Sequence, residues 1–267
     1  MFLSARARIG LRVAVGVVLA FLYVPLLIVV LNSFNSSRTF GFPPDGFTFR
    51  WWRAAYHSDG AIDGLKNSIY AGLGATAIAL VLGTMAAFAV QRYRFFGRST
   101  VSFLVVLPIA LPGIVTGIAL KNAFTSVVAI DFGLQTIIIG HATFCIVIVF
   151  NNVQARLRRL GGSLQEASAD LGATGWQTFR YVTLPSLRGA LVAGALLAFG
   201  LSFDEIVVTN FTASADVQTL PLWIFSNLFR PQQAPVINVV AAVLIVLSVV
   251  PVWLAQRLSD DVAGSRF

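Results

Sequence analysis

Asp204 and Glu205 are adjacent carboxylates in an otherwise apolar stretch, Phe203-Asp204-Glu205-Ile206-Val207-Val208. In such a setting a pair of acids favours a cationic solute and disfavours an anion. Adjacent residues of a helix point about 100° apart, so one acid can face a pathway while the other meets a neighbouring helix. Acids that reach lipid headgroups, or that cap a helix break, are the alternative reading. His141 stands in another apolar run, where a hydrogen bond between helices suits it better than a proton relay. Cys145 is the only cysteine, so the chain forms no disulfide within itself, and no Cys/His spacing suits a metal. The apolar runs hold no Ser/His/Asp grouping of the kind a membrane-embedded enzyme needs. There is also no Walker pattern, G-x-x-x-x-G-K-[ST], to hold a nucleotide.

A second candidate lies in the polar stretch 155–187. Ser163-Leu164-Gln165-Glu166 fits a capping box, with the serine oxygen accepting from the Glu166 amide and the carboxylate reaching back to the serine amide. A short helix follows through Leu171 and stops at Gly172, in the usual place for a C-terminal glycine. Leu164, Ala167 and Leu171 share one face of it, and Glu166 and Asp170 share another. A second short helix is predicted from Trp176 to Val182, ahead of Leu184-Pro185. Taken alone, this pattern describes an amphipathic connector lying on a membrane, and capping by itself would account for Glu166.

The elements that position these residues must live in lipid. Hydrophobic residues make up 57% of the 267, charged residues 11%, and mean hydropathy is +0.81, whereas a soluble domain carries roughly 25% charged residues. Long apolar runs point to helices and not to a β-barrel. Six segments reach the length needed to cross a bilayer: 11–32, 67–90, 100–121, 134–154, 188–211 and 236–256. The first follows Arg6, Arg8 and Arg12 and exceeds the usual signal-peptide core, so it reads as a retained span. Ala71, Gly72, Gly74, Ala75, Gly83, Ala86 and Ala87 make the second span suited to close packing in the interior. Pro108 and Pro112 predict a kink in the third. Asp204 lies about 24 Å along the fifth from Arg188, in its outer half.

Of 19 basic residues, thirteen fall on the side of the N-terminus, among them Arg92, Arg94, Arg98, Arg156, Arg158, Arg159 and Arg180. The positive-inside rule then places both termini, and the 155–187 loop, in the cytoplasm. The formal charge of +8 is spread over these membrane edges and does not mark a nucleic-acid binder. Two outer loops carry further signal. Residues 33–65 hold Phe40, Phe42, Phe47, Phe49, Trp51 and Trp52, which suit an interfacial aromatic belt or a surface for a soluble partner. Residues 213–235, with Pro221, Trp223, Pro231 and Pro235, predict a short re-entrant or surface helix.

The run Glu166-Ala167-Ser168-Ala169-Asp170-Leu171-Gly172-Ala173, followed by Val182, Leu184 and Pro185, resembles the "EAA" loop of ABC importer permeases. Ser168 stands where alanine is common, and Gly189 replaces a proline often found after Leu-Pro. Leu201–Glu205, Thr219–Ile224, Tyr23-Val24-Pro25, Asn32-Ser33-Phe34 and Trp51-Trp52 resemble the permeases of spermidine/putrescine importers. The resemblance covers nearly the whole chain. It implies one permease domain over 1–267 of the type I importer fold, in a bacterial inner membrane, with 155–187 as its coupling loop. Glu166, Ala167, Asp170, Leu171, Gly172 and Ala173 would then seat on an ATPase subunit. It also implies a second homologous permease, two ATPase subunits and an extracytoplasmic binding protein. No cofactor would sit on this chain, since ATP and Mg belong to the ATPase. Importers of the same family for another small solute remain an alternative. An ion-gradient carrier would call for an inverted repeat with paired broken helices, which the sequence does not display.

Overall fold

A computed structural model of the chain describes residues 4–38 and 42–247. Among them every regular element is a helix, apart from one isolated bridge between Asn35 and Phe47. The helices are α1 (Ala5–Asn32), α2 (Arg50–Tyr56), α3 (Asp59–Arg92), α4 (Arg98–Ala110), α5 (Gly113–Asn122), α6 (Leu134–Leu160), α7 (Ser163–Asp170), α8 (Gly175–Thr178), α9 (Leu184–Phe203), α10 (Val207–Thr212), α11 (Leu220–Asn227) and α12 (Ala234–Leu247). A π-helical turn, Phe179–Thr183, joins α8 to α9 without a gap, and another, Ala123–Val128, extends α5.

Four runs are long and apolar enough to cross a bilayer alone: Arg6–Asn32, Asp59–Arg92, Leu134–Leu160 and Gly175–Phe203. The third expected span is corrected from a kinked helix to a broken one. α4 and α5 meet at 105°, and the break falls at Pro112 while Pro108 stays inside α4. Proline disfavours the α region for the residue before it, and Leu111 is extended there (φ −82°, ψ 144°) after a last bond to the Leu107 carbonyl. The fifth expected span is corrected too. It begins earlier, at Gly175, and ends at Phe203, with α10 resuming at Val207. α12 is a shorter apolar helix, and residues 248–256 of the sixth expected span lie outside the described residues.

The described chain forms two compact units, residues 63–223 and residues 4–62 with 224–247. In the first, α6 is central: Phe144, Cys145, Val149, Phe150, Val153 and Leu157 are buried with Ala75, Ala79 and Ala87 of α3, Leu187 and Ala198 of α9, and Val208 of α10. The small residues of α3 are interior as expected, and they set the spacing. A Cβ at Gly72 would lie 2.8 Å from the Phe199 ring, and one at Gly83 would lie 2.8 Å from the Ile146 carbonyl oxygen. α11 begins where the Leu220 amide donates to Ser68 Oγ (2.9 Å), next to an Asn67 Nδ2 bond to the Gln218 carbonyl (3.0 Å). Leu220, Leu222 and Trp223 are buried, so the first turn of this helix is internal.

In the second unit, Asn32 at the end of α1 is its only buried residue among those described, and a helix apolar all round suits lipid. The segment after it is organised by Asn35. Its Oδ1 accepts from the Ser37 and Asp45 amides, and its carbonyl accepts from Trp51 Nε1 at 2.9 Å. Trp52 stacks on Phe34, while Phe42, Phe47 and Phe49 are exposed. Phe40 lies outside the described residues.

Candidate functional site

Asp204 and Glu205 occupy the break between α9 and α10, and they are not two positions of one helix. Asp204 is the C-cap of α9 (φ −95°, ψ 4°), its amide donating to the Gly200 carbonyl. Its side chain is exposed and makes no hydrogen bond or ion pair among the described residues. Glu205 is half-buried, and its Oε1 accepts from the Val208 amide at 2.8 Å. That contact caps the first turn of α10, where amides lack helical partners. The two acids thus divide their roles: one caps the new helix, the other presents an unpaired carboxylate.

The second half-helix is wedged between two others by small residues. A Cβ at Gly117 of α5 would lie 2.5 Å from the Phe211 ring, and one at Gly140 of α6 would lie 3.3 Å from Val208 Cγ1. A Cβ at Gly113, the first residue of α5, would lie 3.5 Å from Val207 Cγ1, the first residue of α10. The starts of the two resumed half-helices therefore adjoin. The break at 111–112 lies in apolar sequence, where hydropathy hides it, whereas the break at 204–206 carries Asp204 and Glu205 themselves, and an acid capping a helix break is one of the readings their setting leaves open.

Behind the break, His141 is fully buried on α6. Its Nδ1 lies 2.7 Å from Ser202 Oγ on α9, and its Nε2 lies 2.8 Å from Thr209 Oγ1 on α10. His141 bridges helices, as its setting predicts. Ser202 and Thr209 were not singled out by sequence reasoning. Both are small hydroxyls that hydropathy treats as neutral, and only the fold pairs them with the imidazole.

The 155–187 stretch carries the other predicted residues. α7 begins one residue earlier than a Ser163 cap requires: Gly162 is the N-cap, and its carbonyl accepts from the Glu166 amide at 3.0 Å. The expected capping box at Ser163 and Glu166 is therefore not formed, because Glu166 sits one position too far along. A capping box does form at the next helix, where Thr174 Oγ1 accepts from the Gln177 amide and the Thr174 amide donates to Gln177 Oε1. The C-terminus of α7 matches expectation. Gly172 has φ +80°, its amide donates to the Ala169 carbonyl (2.8 Å), and the Ala173 amide donates to the Ser168 carbonyl (3.1 Å). These are the paired bonds of a Schellman turn.

Ser168 Oγ lies 3.0 Å from Thr178 Oγ1, tying α7 to α8. Glu166, Ala167, Asp170 and Leu171 are all exposed, with Leu171 at 89%. Trp176 and Tyr181 are exposed nearby. Among the described residues no residue of α7 is fully buried, and Leu164 at its start and Leu171 at its end are exposed, a pattern suited to meeting another protein.

The turn at Gly172 supports a direct test. Nothing stands within 4 Å of a Cβ there, so Gly172→Ala is opposed only by the left-handed backbone, at about 1–2 kcal/mol. Asparagine tolerates that region better. Trypsin should cut the 155–187 loop of Gly172→Ala about fivefold faster than the parent, with Gly172→Asn in between. Equal rates in all three would remove the turn from any role in ordering the loop.

Residues 79–264 match the family described as binding-protein-dependent transport system inner membrane component. The chain is 35% identical over 243 residues to the spermidine/putrescine transport system permease protein PotC of Haemophilus influenzae, covering 91% of this chain and 93% of that one. It is 35% identical over 231 residues to the putrescine transport system permease protein PotI of Escherichia coli strain K12, covering 84% and 82%. Among solved structures, a chain of a bacterial ABC transporter involved in import of the acidic polysaccharide alginate superposes with a TM-score of 0.72 at 17% identity, over 96% of this chain and 99% of that one. That likeness speaks to the fold alone.

Proposed function

The chain belongs to the family of binding-protein-dependent transport system inner membrane components, and from that premise we propose that it is the permease subunit of a polyamine importer. It is a multi-pass inner-membrane protein of an ABC transport system, and PotC and PotI, to which it is 35% identical, are permease proteins of spermidine/putrescine and putrescine transport systems. In this reading the solute is a polyamine or a related small cation. ATP and Mg are held and turned over on two separate ATPase subunits. A second homologous permease completes the pathway, and an extracytoplasmic binding protein delivers the solute. Both termini and the 155–187 loop face the cytoplasm, as the basic residues favour.

One observation carries the mechanism: a single helical run, Gly175–Phe203, starts in the exposed loop and ends at the acid-bearing break. Its 29 residues span about 44 Å at 1.5 Å per residue. α7 seats its exposed face, Glu166 to Leu171, on the ATPase, and the Ser168–Thr178 bond passes the motion to α8. Phe179, packed on Phe88 of α3 with ring centroids 5.7 Å apart, keeps the start of the run against α3. Movement at the loop then reaches Asp204 through a continuous rod, and the unpaired carboxylate is offered to a cation on one side of the membrane and withdrawn on the other. Adjoining broken half-helices also occur in ion-gradient carriers; membership of an ATP-driven family favours the importer.

Purification in mild detergent with the neighbouring subunits co-expressed, then reconstitution with the binding protein, tests the reading. ATP hydrolysis should rise severalfold on adding spermidine or putrescine. Recovery of the chain without any ATPase subunit would overturn the coupling assignment, and stimulation by an unrelated solute alone would overturn the polyamine.

A further inference from the structure

The hydrogen bonds around His141 form a directed chain. Thr209 Oγ1 donates to the Glu205 carbonyl at 2.8 Å. A hydroxyl has one proton, so Thr209 Oγ1 can only accept from His141, and Nε2 must carry the hydrogen of their 2.8 Å contact. In the neutral ring the other nitrogen is then an acceptor, and Ser202 Oγ–H donates to Nδ1 across 2.7 Å. The sequence of donors runs Ser202 to His141 to Thr209 to the backbone of Glu205. It starts in the last turn of α9, passes through a side chain of α6, and ends on the acid-bearing break itself.

Each member is placed for this. Ser202, His141 and Thr209 are all buried to within 2% of their accessible surface, where an unmade hydrogen bond has no water to replace it. Gly140, beside His141, lets α10 approach α6 to 3.3 Å of its hypothetical Cβ. The break itself has few restraints of its own: the Asp204 amide bond is 3.3 Å long and the Glu205 amide bond to the Ser202 carbonyl is 3.5 Å.

We infer that His141, as the neutral Nε2–H tautomer, is the positioning residue of the acid-bearing break. It clamps the end of α9 to the start of α10, so that Asp204 keeps a fixed aim as the Gly175–Phe203 run moves. His141 touches no solute and acts through the backbone of Glu205. This inference rests on the reading of Asp204 as a solute-facing acid, and it predicts that the cost of losing the clamp is paid through Asp204.

Two measurements on the reconstituted complex separate the inference from that reading. The first is putrescine uptake by His141→Ala, His141→Gln, Thr209→Val and Thr209→Ser, each alone and combined with Asp204→Asn. His141→Ala and Thr209→Val should raise KM at least fivefold, while Thr209→Ser stays within twofold of the parent. His141→Gln, whose amide N–H can still reach Thr209, should recover most of the loss. On the Asp204→Asn background, His141→Ala should cost less than twofold more. The second measurement is the distance distribution between spin labels at Leu197 and Asn210, exposed positions on either side of the break. Its width should at least double in His141→Ala and in Thr209→Val, and not in Thr209→Ser.

Unchanged widths, indistinguishable Thr209→Val and Thr209→Ser, or, where Asp204→Asn itself impairs uptake, equal losses on both backgrounds would each overturn the clamp. If Asp204→Asn leaves uptake intact while the widths still double, the solute-facing reading falls and the clamp stands. Should His141→Ala fail to assemble, the Thr209 pair carries the same comparison.

Discussion

A Gly83→Val chain is expected to be recovered from membranes at no more than about a tenth of the parental yield. The reason is geometric. A Cβ at Gly83 would meet the Ile146 carbonyl oxygen at 2.8 Å, Val149 Cβ at 3.0 Å and the Phe150 amide nitrogen at 3.1 Å. Two of these three atoms are backbone of α6, which cannot turn aside as a flexible side chain can. α6 is also the helix on which α3, α9 and α10 all pack, so displacing it disturbs the whole core of residues 63–223. Overpacking costs typically 1–3 kcal/mol and sometimes more, and valine adds two methyls beyond the Cβ. Gly16→Val is the matched control: it adds the same side chain to a spanning helix, where nothing stands within 4 Å of the Cβ. Yield and thermal stability of the detergent-extracted monodisperse fraction give the comparison. Equal recovery of the two variants would show that α3 and α6 do not pack as closely as the structure has them.

That contact was foreshadowed by composition, since the Ala/Gly run of α3 marks a helix meant to approach others closely. The same logic made Gly172 legible as a helix stop, because a glycine after a short amphipathic run needs no tertiary information to be interpreted. The capping box was misplaced for an equally local reason. Gly161 and Gly162 offer no side chain to fix where α7 begins, and the helix extends back by one residue, which leaves Ser163 inside it. The break at 111–112 is hidden because lipid solubility is indifferent to helix continuity and Leu111 keeps the hydropathy high, whereas the break at 204–206 is signalled by its two acids, one of which caps the helix that follows. His141 was recognisable as a bridging residue, yet its partners were not, since Ser202 and Thr209 lie 61 and 68 residues away in sequence. Local grammar was readable; pairings made across the core were not.

Asp204→Asn should lower the efficiency of polyamine uptake by about 10- to 100-fold, with the loss concentrated in KM. A hydrogen bond to a charged partner is worth about 1.5–3 kcal/mol, and each 1.36 kcal/mol is a tenfold change. Asp204 is exposed, half a helix is interrupted to present it, and no described residue neutralises it. In the proposed reading it faces the solute pathway, because a carboxylate turned towards lipid is costly. Because no bond among the described residues is lost, the asparagine variant should assemble with its partners at parental levels. Glu205→Gln supplies the contrast. Its amide oxygen can still accept from the Val208 amide, so α10 stays capped, and uptake should fall less than threefold. The ordering of the two variants is the decisive quantity, measured as initial rates of putrescine uptake across concentrations in proteoliposomes. A larger loss in Glu205→Gln would move the solute contact to the half-buried acid, and parental uptake in Asp204→Asn would mean that the exposed carboxylate serves something other than the solute.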